Sequence, residues 1–366
     1  MSSPYNIIIA ISVAQASMTQ AEIEAYACHS KGSPIQKWTY KAHPLGPHDI
    51  EIEISHCGIC HSDIHTLDSG WGPTMYPVVV GHEIIGKITA KGPEVSHLNV
   101  GDRVGVGAMV SSCLKSNCPD CTNNNDPCCS GCVFTYNSKY PDGHIAYGGY
   151  AKKTRVDSNC AFKIPENIPS EYAAPLLCAG VTTYTPLRRY GCGPGKTVGV
   201  IGIGGLGHLG LQFAKAMGAD RVYAFSTSPN KEKEAKTLGA TDFVNLNQPV
   251  SQLSSVMKSI DLLLVSTCAP QAPWDLYLSF LKTNGKLLLV GLPEYKISFV
   301  PGVLVMKNLS IIGSLIGSRN DIREMLKLCD EKNIRPMIDV LPMEKVNEGI
   351  ARVRKNDVRY RIVLQN

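Results

Sequence analysis

The string Gly202-Ile203-Gly204-Gly205-Leu206-Gly207 constrains this chain more than any other feature, because of what flanks it. An apolar run, Thr197 to Ile201, leads into it, and a helix-like stretch, Leu206 to Met217, leads out. The glycines permit a tight strand-to-helix turn whose backbone N–H groups approach a pyrophosphate seated on the helix N-terminus. A G-x-G-x-x-G string alone says little; the strand before it and the helix after it give it meaning. Further apolar runs follow at Val222 to Phe225, Leu262 to Val265, Leu287 to Val290 and Leu309 to Gly313, with helical or loop segments such as Asn230 to Leu238 between them. Strands alternating with helices argue for a doubly wound parallel sheet, so the fold class is α/β.

The upstream half has another texture. From Ile35 to Val106 short runs alternate apolar and polar, as in Ile50-Glu51-Ile52-Glu53-Ile54 and Ile84-Ile85-Gly86-Lys87-Ile88, punctuated by glycine and proline. That is the pattern of small antiparallel strands in a barrel-like β domain. A length of 366 residues suits two domains, and 44% hydrophobic residues suffice for ordinary cores. The net charge of +5 is small and its Lys and Arg are scattered, which speaks against a nucleic-acid surface. Nothing in the chain calls for a membrane anchor. Ile7 to Ala14 is apolar and Ala14-Gln15-Ala16 resembles a cleavage site, but no Lys or Arg precedes the run, as a secretory leader requires. An extension over residues 1–17 is the favoured reading, with a leader as the alternative.

Fourteen cysteines is a high count, and five of them fall within the seventeen residues from Cys113 to Cys129. In an intracellular protein such packing more often means metal than disulfides, so a reducing, cytoplasmic compartment is expected. The spacing Cys113-x4-Cys118-x2-Cys121-x7-Cys129 offers four thiolates for a closed, structural zinc site. Cys128 and Cys132 lie close enough in sequence that either could replace the fourth ligand.

A second set is dispersed. Cys60, in Gly58-Ile59-Cys60-His61-Ser62-Asp63, His82, in Gly81-His82-Glu83, and Cys178, in Leu176-Leu177-Cys178-Ala179-Gly180, offer two thiolates and an imidazole. A catalytic zinc uses three protein ligands and keeps one position open. Each residue alone would more often be a buried thiol or a satisfied core histidine; together, in these contexts, they read as ligands. Asp63 and Glu83 are placed to orient the histidine from behind.

The dinucleotide can be specified further. Roughly twenty residues beyond the glycines, NAD enzymes normally carry an Asp or Glu that accepts from the adenosine ribose 2′-OH. Here stand Ser226, Thr227 and Ser228, then Asn230 and Lys231, with no acid until Glu232. Small hydroxyls leave room for a 2′-phosphate and Lys231 supplies charge, which favours NADP(H). Serine and threonine as plain helix caps would not account for the missing acid.

Together these motifs resemble the zinc-dependent medium-chain alcohol dehydrogenases, and within them the cinnamyl alcohol dehydrogenase group, which includes broad-specificity NADP-dependent enzymes of yeasts. Tyr147-Gly148-Gly149-Tyr150-Ala151 and Gly193-Pro194-Gly195-Lys196 fit the same group. The resemblance runs from Ala21 onward and implies a GroES-like catalytic domain, a Rossmann domain, a cleft between them and a homodimer. It implies two zinc ions per chain, NADP(H) on Gly202, Gly204, Gly205, Leu206 and Gly207, and a primary alcohol or aldehyde as the small-molecule partner. It assigns Ser62 to relay the substrate proton and His65 to carry it toward solvent; a hydroxyl suits the first role unaided, since it accepts and donates at once. Trp71 would line the substrate pocket, with Pro293 and Leu315 as lesser candidates. One departure concerns the lobe, where Cys113 and Cys118 are separated by four residues instead of the family's two, so the loop must bulge or begin its ligands elsewhere. The expected division is residues 18–176 catalytic, 177–315 Rossmann, and 316–366 returning to the catalytic domain through a helix and a final strand, Arg361 to Leu364. Two rivals use part of the same residues: a polyol dehydrogenase, which would more typically offer Glu where Cys178 stands, and a zinc-stabilised NADP-binding redox sensor, which has no use for the open-site trio.

Overall fold

The computed structural model describes residues 22–267 and 269–366. The N-terminal extension, with its apolar run and cleavage-like triplet, lies outside the described residues.

Two large sheets organise the chain. The first is mainly antiparallel, in the order Ala161–Lys163, Arg103–Val106, Ile84–Lys91, Asp49–Ile59, Arg361–Gln365 and Ile338–Pro342, with Lys153–Asp157 also paired to Asp49–Ile59. The long strand Asp49–Ile59 owes its place to Ile50, Ile52, Ile54, Cys57 and Ile59, all nearly inaccessible. Buried Glu51 on the same strand is kept charged by Lys153 and Arg155, each 2.9 Å from its carboxylate. The sheet is completed from far along the chain: Ile362 pairs with Ile59, Val363 with Gly58 and Leu364 with Cys57. The final strand, Arg361–Gln365, thus joins the first sheet.

The second sheet has six strands, all parallel, in the order Asp242–Asn245, Arg221–Ser226, Thr197–Ile201, Ile260–Val265, Leu281–Leu289 and Ser310–Gly313. Numbered along the chain this is 3-2-1-4-5-6, the dinucleotide-binding order, whose direction reverses between Thr197–Ile201 and Ile260–Val265. The glycine string opens at that reversal. Gly202 has φ +87°, and a Cβ on Gly207 would stand 1.8 Å from the Gly202 carbonyl oxygen, so the turn into helix Gly207–Ala216 excludes side chains at both.

One apolar core spans both sheets. Ile85, Phe162 and Val363 from the first pack with Val198 and Leu264 from the second, and Leu177 and Leu209 join them from helical segments. The segment between the sheets runs from helix Ser170–Pro175 through a π-helical turn, Leu176–Gly180, into helix Val181–Arg189. Every residue of that turn is buried, and it carries Cys178. Such turns widen a helix by one residue and are frequent at functional sites.

Candidate active site and metal centres

Three distant segments bring Cys60, His82 and Cys178 together. Cys60 ends strand Asp49–Ile59 and caps helix His61–Leu67, His82 precedes strand Ile84–Lys91, and Cys178 enters on the π-helical turn. The two sulfurs are 4.0 Å apart, and His82 Nε2 is 3.1 Å from Cys178 Sγ. With one carboxylate oxygen of Glu83, these atoms all lie within 4.8 Å of one another. The Cys178 thiol and His82 hold Cys60 well below the ordinary thiol range, in the direction that favours the ligand form. The separations and the donor chemistry fit a zinc ion.

Asp63 organises this centre from behind. Its buried carboxylate accepts from the Cys60 backbone N–H at 2.8 Å, the Gly81 N–H at 3.1 Å and the Tyr150 hydroxyl at 3.0 Å, and stands 3.1 Å from His82 Nδ1. The Tyr136 hydroxyl is 2.9 Å from the same nitrogen. A carboxylate on Nδ1 selects the tautomer whose Nε2 lone pair faces Cys178, which is the ligand form. Tyr136 and Tyr150 were not singled out in the sequence; Tyr150 sits in the phrase Tyr147 to Ala151, quoted only for its resemblance.

Glu83 takes another place than the expected one. It makes no bond to His82; its Oε1 accepts from the buried Arg361 guanidinium, while its Oε2 and Arg361 Nε are buried without partners. Burial outweighs the arginine and pushes the Glu83 carboxyl up to about 7. Arg361 also borders the glycine turn, since a Cβ on Gly205 would stand 3.1 Å from its Nη1. The sequence signal was a lone charge before the apolar triplet Ile362-Val363-Leu364 of strand Arg361–Gln365.

Ser62 Oγ lies 3.5 Å from Cys60 Sγ. His65, one helical turn on, is stacked against Trp71 with ring centroids 4.4 Å apart, and Trp71 is 43% exposed. Leu315 is exposed as well, at 51%.

At the end of strand Arg221–Ser226 no acid appears. Ser226 Oγ accepts from the Ser228 N–H at 3.0 Å, shaping the turn, and the Thr227 carbonyl accepts from Asn247 at 2.8 Å. Lys231 reaches the glycine string, donating to the Ile203 carbonyl at 2.7 Å, and its ammonium lies 5.1 Å from the centre of the Tyr360 ring. Burial and the neighbouring Arg359 lower its pKa, a condition that a phosphate would relieve. His208 braces the same turn: Nδ1 donates to the Gly204 carbonyl at 2.8 Å and Nε2 accepts from the Met337 N–H at 3.2 Å. Burial pushes this imidazole down to about 3, so it is neutral.

The four-cysteine lobe forms its own centre. Cys113, Cys118, Cys121 and Cys129 lie within 4.8 Å of one another, with sulfur separations of 3.7 Å for Cys113 to Cys121, 3.7 Å for Cys118 to Cys129 and 3.3 Å for Cys129 to Cys113. Four sulfurs about 2.3 Å from one zinc would stand about 3.8 Å apart, so the set fits. Cys128 is exposed and, like Cys132, falls outside the group. The longer Cys113 to Cys118 spacing is absorbed at Leu114, whose φ is +48°. Arg319 holds the lobe through buried Asp126, and Arg189 bonds Asn125 and Asp321.

The comparisons with known proteins agree with this geometry. Residues 46–166 match the alcohol dehydrogenase GroES-like domain and residues 205–331 the zinc-binding dehydrogenase family. The chain is 42% identical to NADP-dependent alcohol dehydrogenase C 1 of Mycolicibacterium smegmatis over 344 residues, 93% of this chain and 97% of that protein. It superposes on a cinnamyl alcohol dehydrogenase of Sorghum bicolor with a TM-score of 0.90 and 34% identity, covering 94% of this chain and 98% of the other. The corresponding values for the CAD of Helicobacter pylori complexed with NADP(H) are 0.86, 33%, 94% and 98%. A GroES-like domain joined to a parallel dinucleotide-binding sheet, matched along nearly its whole length, places this chain in the zinc-binding alcohol dehydrogenase family, in its cinnamyl alcohol dehydrogenase-like group.

Proposed function

We propose that this chain interconverts primary alcohols and aldehydes, cinnamyl, other aromatic or medium aliphatic, by hydride transfer with NADP(H) and zinc. The observation that carries the reading is the convergence of Cys60, His82 and Cys178 next to Arg361, which borders the glycine turn. Cys60, His82 and Cys178 would hold the catalytic zinc, and Cys113, Cys118, Cys121 and Cys129 the structural one. When bound, the catalytic ion supplies Lewis acidity for a carbonyl oxygen, and the dinucleotide supplies the hydride. Asp63 keeps His82 in its ligand tautomer. Gly202, Gly204, Gly205, Leu206 and Gly207 would cradle the pyrophosphate, with Ser226, Thr227, Ser228 and Lys231 around the 2′-phosphate. Ser62 passes a proton between substrate oxygen and His65, and the Trp71 indole gives aromatic substrates a wall.

The same reading divides the chain into a catalytic part, residues 18–176 with 316–366, and a Rossmann part, 177–315. It is supported by the return of Arg361–Gln365 to the first sheet. A homodimer is supported by the edge strand Ser310–Gly313, beside which Val305 and Met306 are 75% and 85% exposed. Two thiolate centres suit a reducing compartment such as the cytoplasm. Among the described residues no helix is long and apolar enough to cross a membrane.

The test is the initial rate of cinnamaldehyde reduction with NADPH and with NADH, before and after a strong chelator, alongside metal analysis. Chelator-sensitive turnover that prefers NADPH, on protein with two zinc ions per chain, is expected. Preference for NADH would overturn the phosphate assignment, and a single ion with no turnover would favour the sensor.

A further inference from the structure

The helix that carries Ser62 and His65 is tied to the other sheet by one side chain. His65 Nδ1 lies 2.5 Å from Glu294 Oε1, 229 residues further on. Glu294 belongs to the segment that follows strand Leu281–Leu289, and its side chain is 49% exposed against 24% for His65. Trp71 stacks on the same imidazole at an interplanar angle of 18°, and the Gly70 N–H donates to the His65 carbonyl at 2.7 Å. The carboxylate occupies the place of a missing side chain: a Cβ on Gly70 would stand 2.2 Å from Glu294 Oε1.

An ionised carboxylate only accepts hydrogen bonds, so the imidazole nitrogen facing it must carry the proton. In the neutral ring that proton sits on Nδ1 and leaves Nε2 as the basic nitrogen, while Trp71 fixes the ring plane. Ser62 and His65 are three apart on one helix and share a face. We infer that Glu294 is a positioning residue for the proton relay, which holds His65 as the Nδ1–H tautomer and stabilises the imidazolium formed when Nε2 takes a proton. This rests on the dehydrogenase reading above. In alcohol oxidation the substrate hydroxyl proton passes to Ser62 Oγ as the serine's own proton moves to His65 Nε2. The imidazolium, held against Glu294, then releases the Nε2 proton to water, and its Nδ1–H bond stays intact throughout. One proton enters and one leaves, and no side chain changes its oxidation state. Reduction runs the same transfers backwards.

The test uses zinc-loaded, full-length protein. Imidazole 15N NMR, with His65→Asn to assign the signal, is expected to show the Nδ1–H tautomer in the wild type. Glu294→Ala should lose that tautomer, lower kcat for alcohol oxidation roughly tenfold, enlarge the solvent deuterium isotope effect on kcat and leave the dinucleotide KM where it was. Glu294→Gln, whose amide oxygen still accepts from Nδ1–H, should keep the tautomer and recover part of the rate. Gly70→Ala, whose methyl displaces only the end of a flexible side chain, should act in the same direction as Glu294→Ala. Wild-type tautomer and kcat in Glu294→Ala would overturn the inference, as would a loss confined to KM, which would make the contact a latch between the sheets. A wild type that turns over no alcohol or aldehyde would instead defeat the dehydrogenase reading, and the tautomer measurement would still decide whether Glu294 positions His65.

Discussion

The two cysteine-rich centres of this molecule are built on opposite plans. In the four-cysteine lobe the candidate donors come from one short loop, Cys113 to Cys129, and every one is sulfur. In the other centre the donors come from three elements spread over 118 residues, one of them is nitrogen, and a retinue of buried Asp63, Tyr150, Glu83 and Arg361 with half-buried Tyr136 surrounds them. The difference separates two uses of a metal. A closed thiolate set can fold a loop that has no apolar core of its own, so its local sequence suffices. A centre with an open position gains from the protein around it, which must fix tautomers, withhold water and leave room for substrate.

The sharpest way to break this comparison is to remove one ligand from each centre. Cys178→Ala is expected to lower turnover by a factor of about 1,000 or more, with one metal ion lost per chain and the thermal midpoint little changed; activity assay, metal analysis and calorimetry read the three outcomes. Cys118→Ala should do the reverse, losing the other ion and lowering the midpoint by several degrees while turnover per folded molecule persists. If both variants lost activity equally while folded, the division into chemical and structural roles would fail. A smaller effect tests the retinue. Asp63→Asn should weaken metal binding at the catalytic centre about 10-fold to 100-fold, measured by competition with a chromophoric chelator, and leave the lobe's ion in place. Equal weakening at both centres would mean that Asp63 supports the fold and not the histidine.

How far the sequence revealed all this depends on how local the signal was. The glycine turn was legible because strand, turn and helix are contiguous from Thr197 to Met217, and the lobe because its thiols share one loop. Cys60, His82 and Cys178 were legible only as a set of local phrases, and the structure supplies the reason they meet: a strand end, a strand start and a π-helical turn converge. What stayed hidden was long-range pairing. Arg361 reaches Glu83 across 278 residues and Glu294 reaches His65 across 229, and no periodicity or spacing encodes either partner. Glu83 was misread for the same reason. Adjacent to His82 in sequence, it was given the histidine as its partner, whereas its carboxylate is taken by an arginine 278 residues further along the chain.

That far strand also sets an order of events. The parallel sheet is assembled from strands that follow one another closely between Thr197 and Gly313, but Asp49–Ile59 waits for Arg361–Gln365 before its neighbour is in place. Non-local pairing is slow because the intervening chain must first be confined, and a folded insert confines it. As the polypeptide leaves the ribosome, the dinucleotide-binding sheet can therefore mature while the antiparallel sheet is still open along one side. The ribosome has to pass residue 361 before Glu83 gains its counter-charge, so the electrostatics around Cys60, His82 and Cys178 are settled only after the whole dinucleotide-binding sheet has been made.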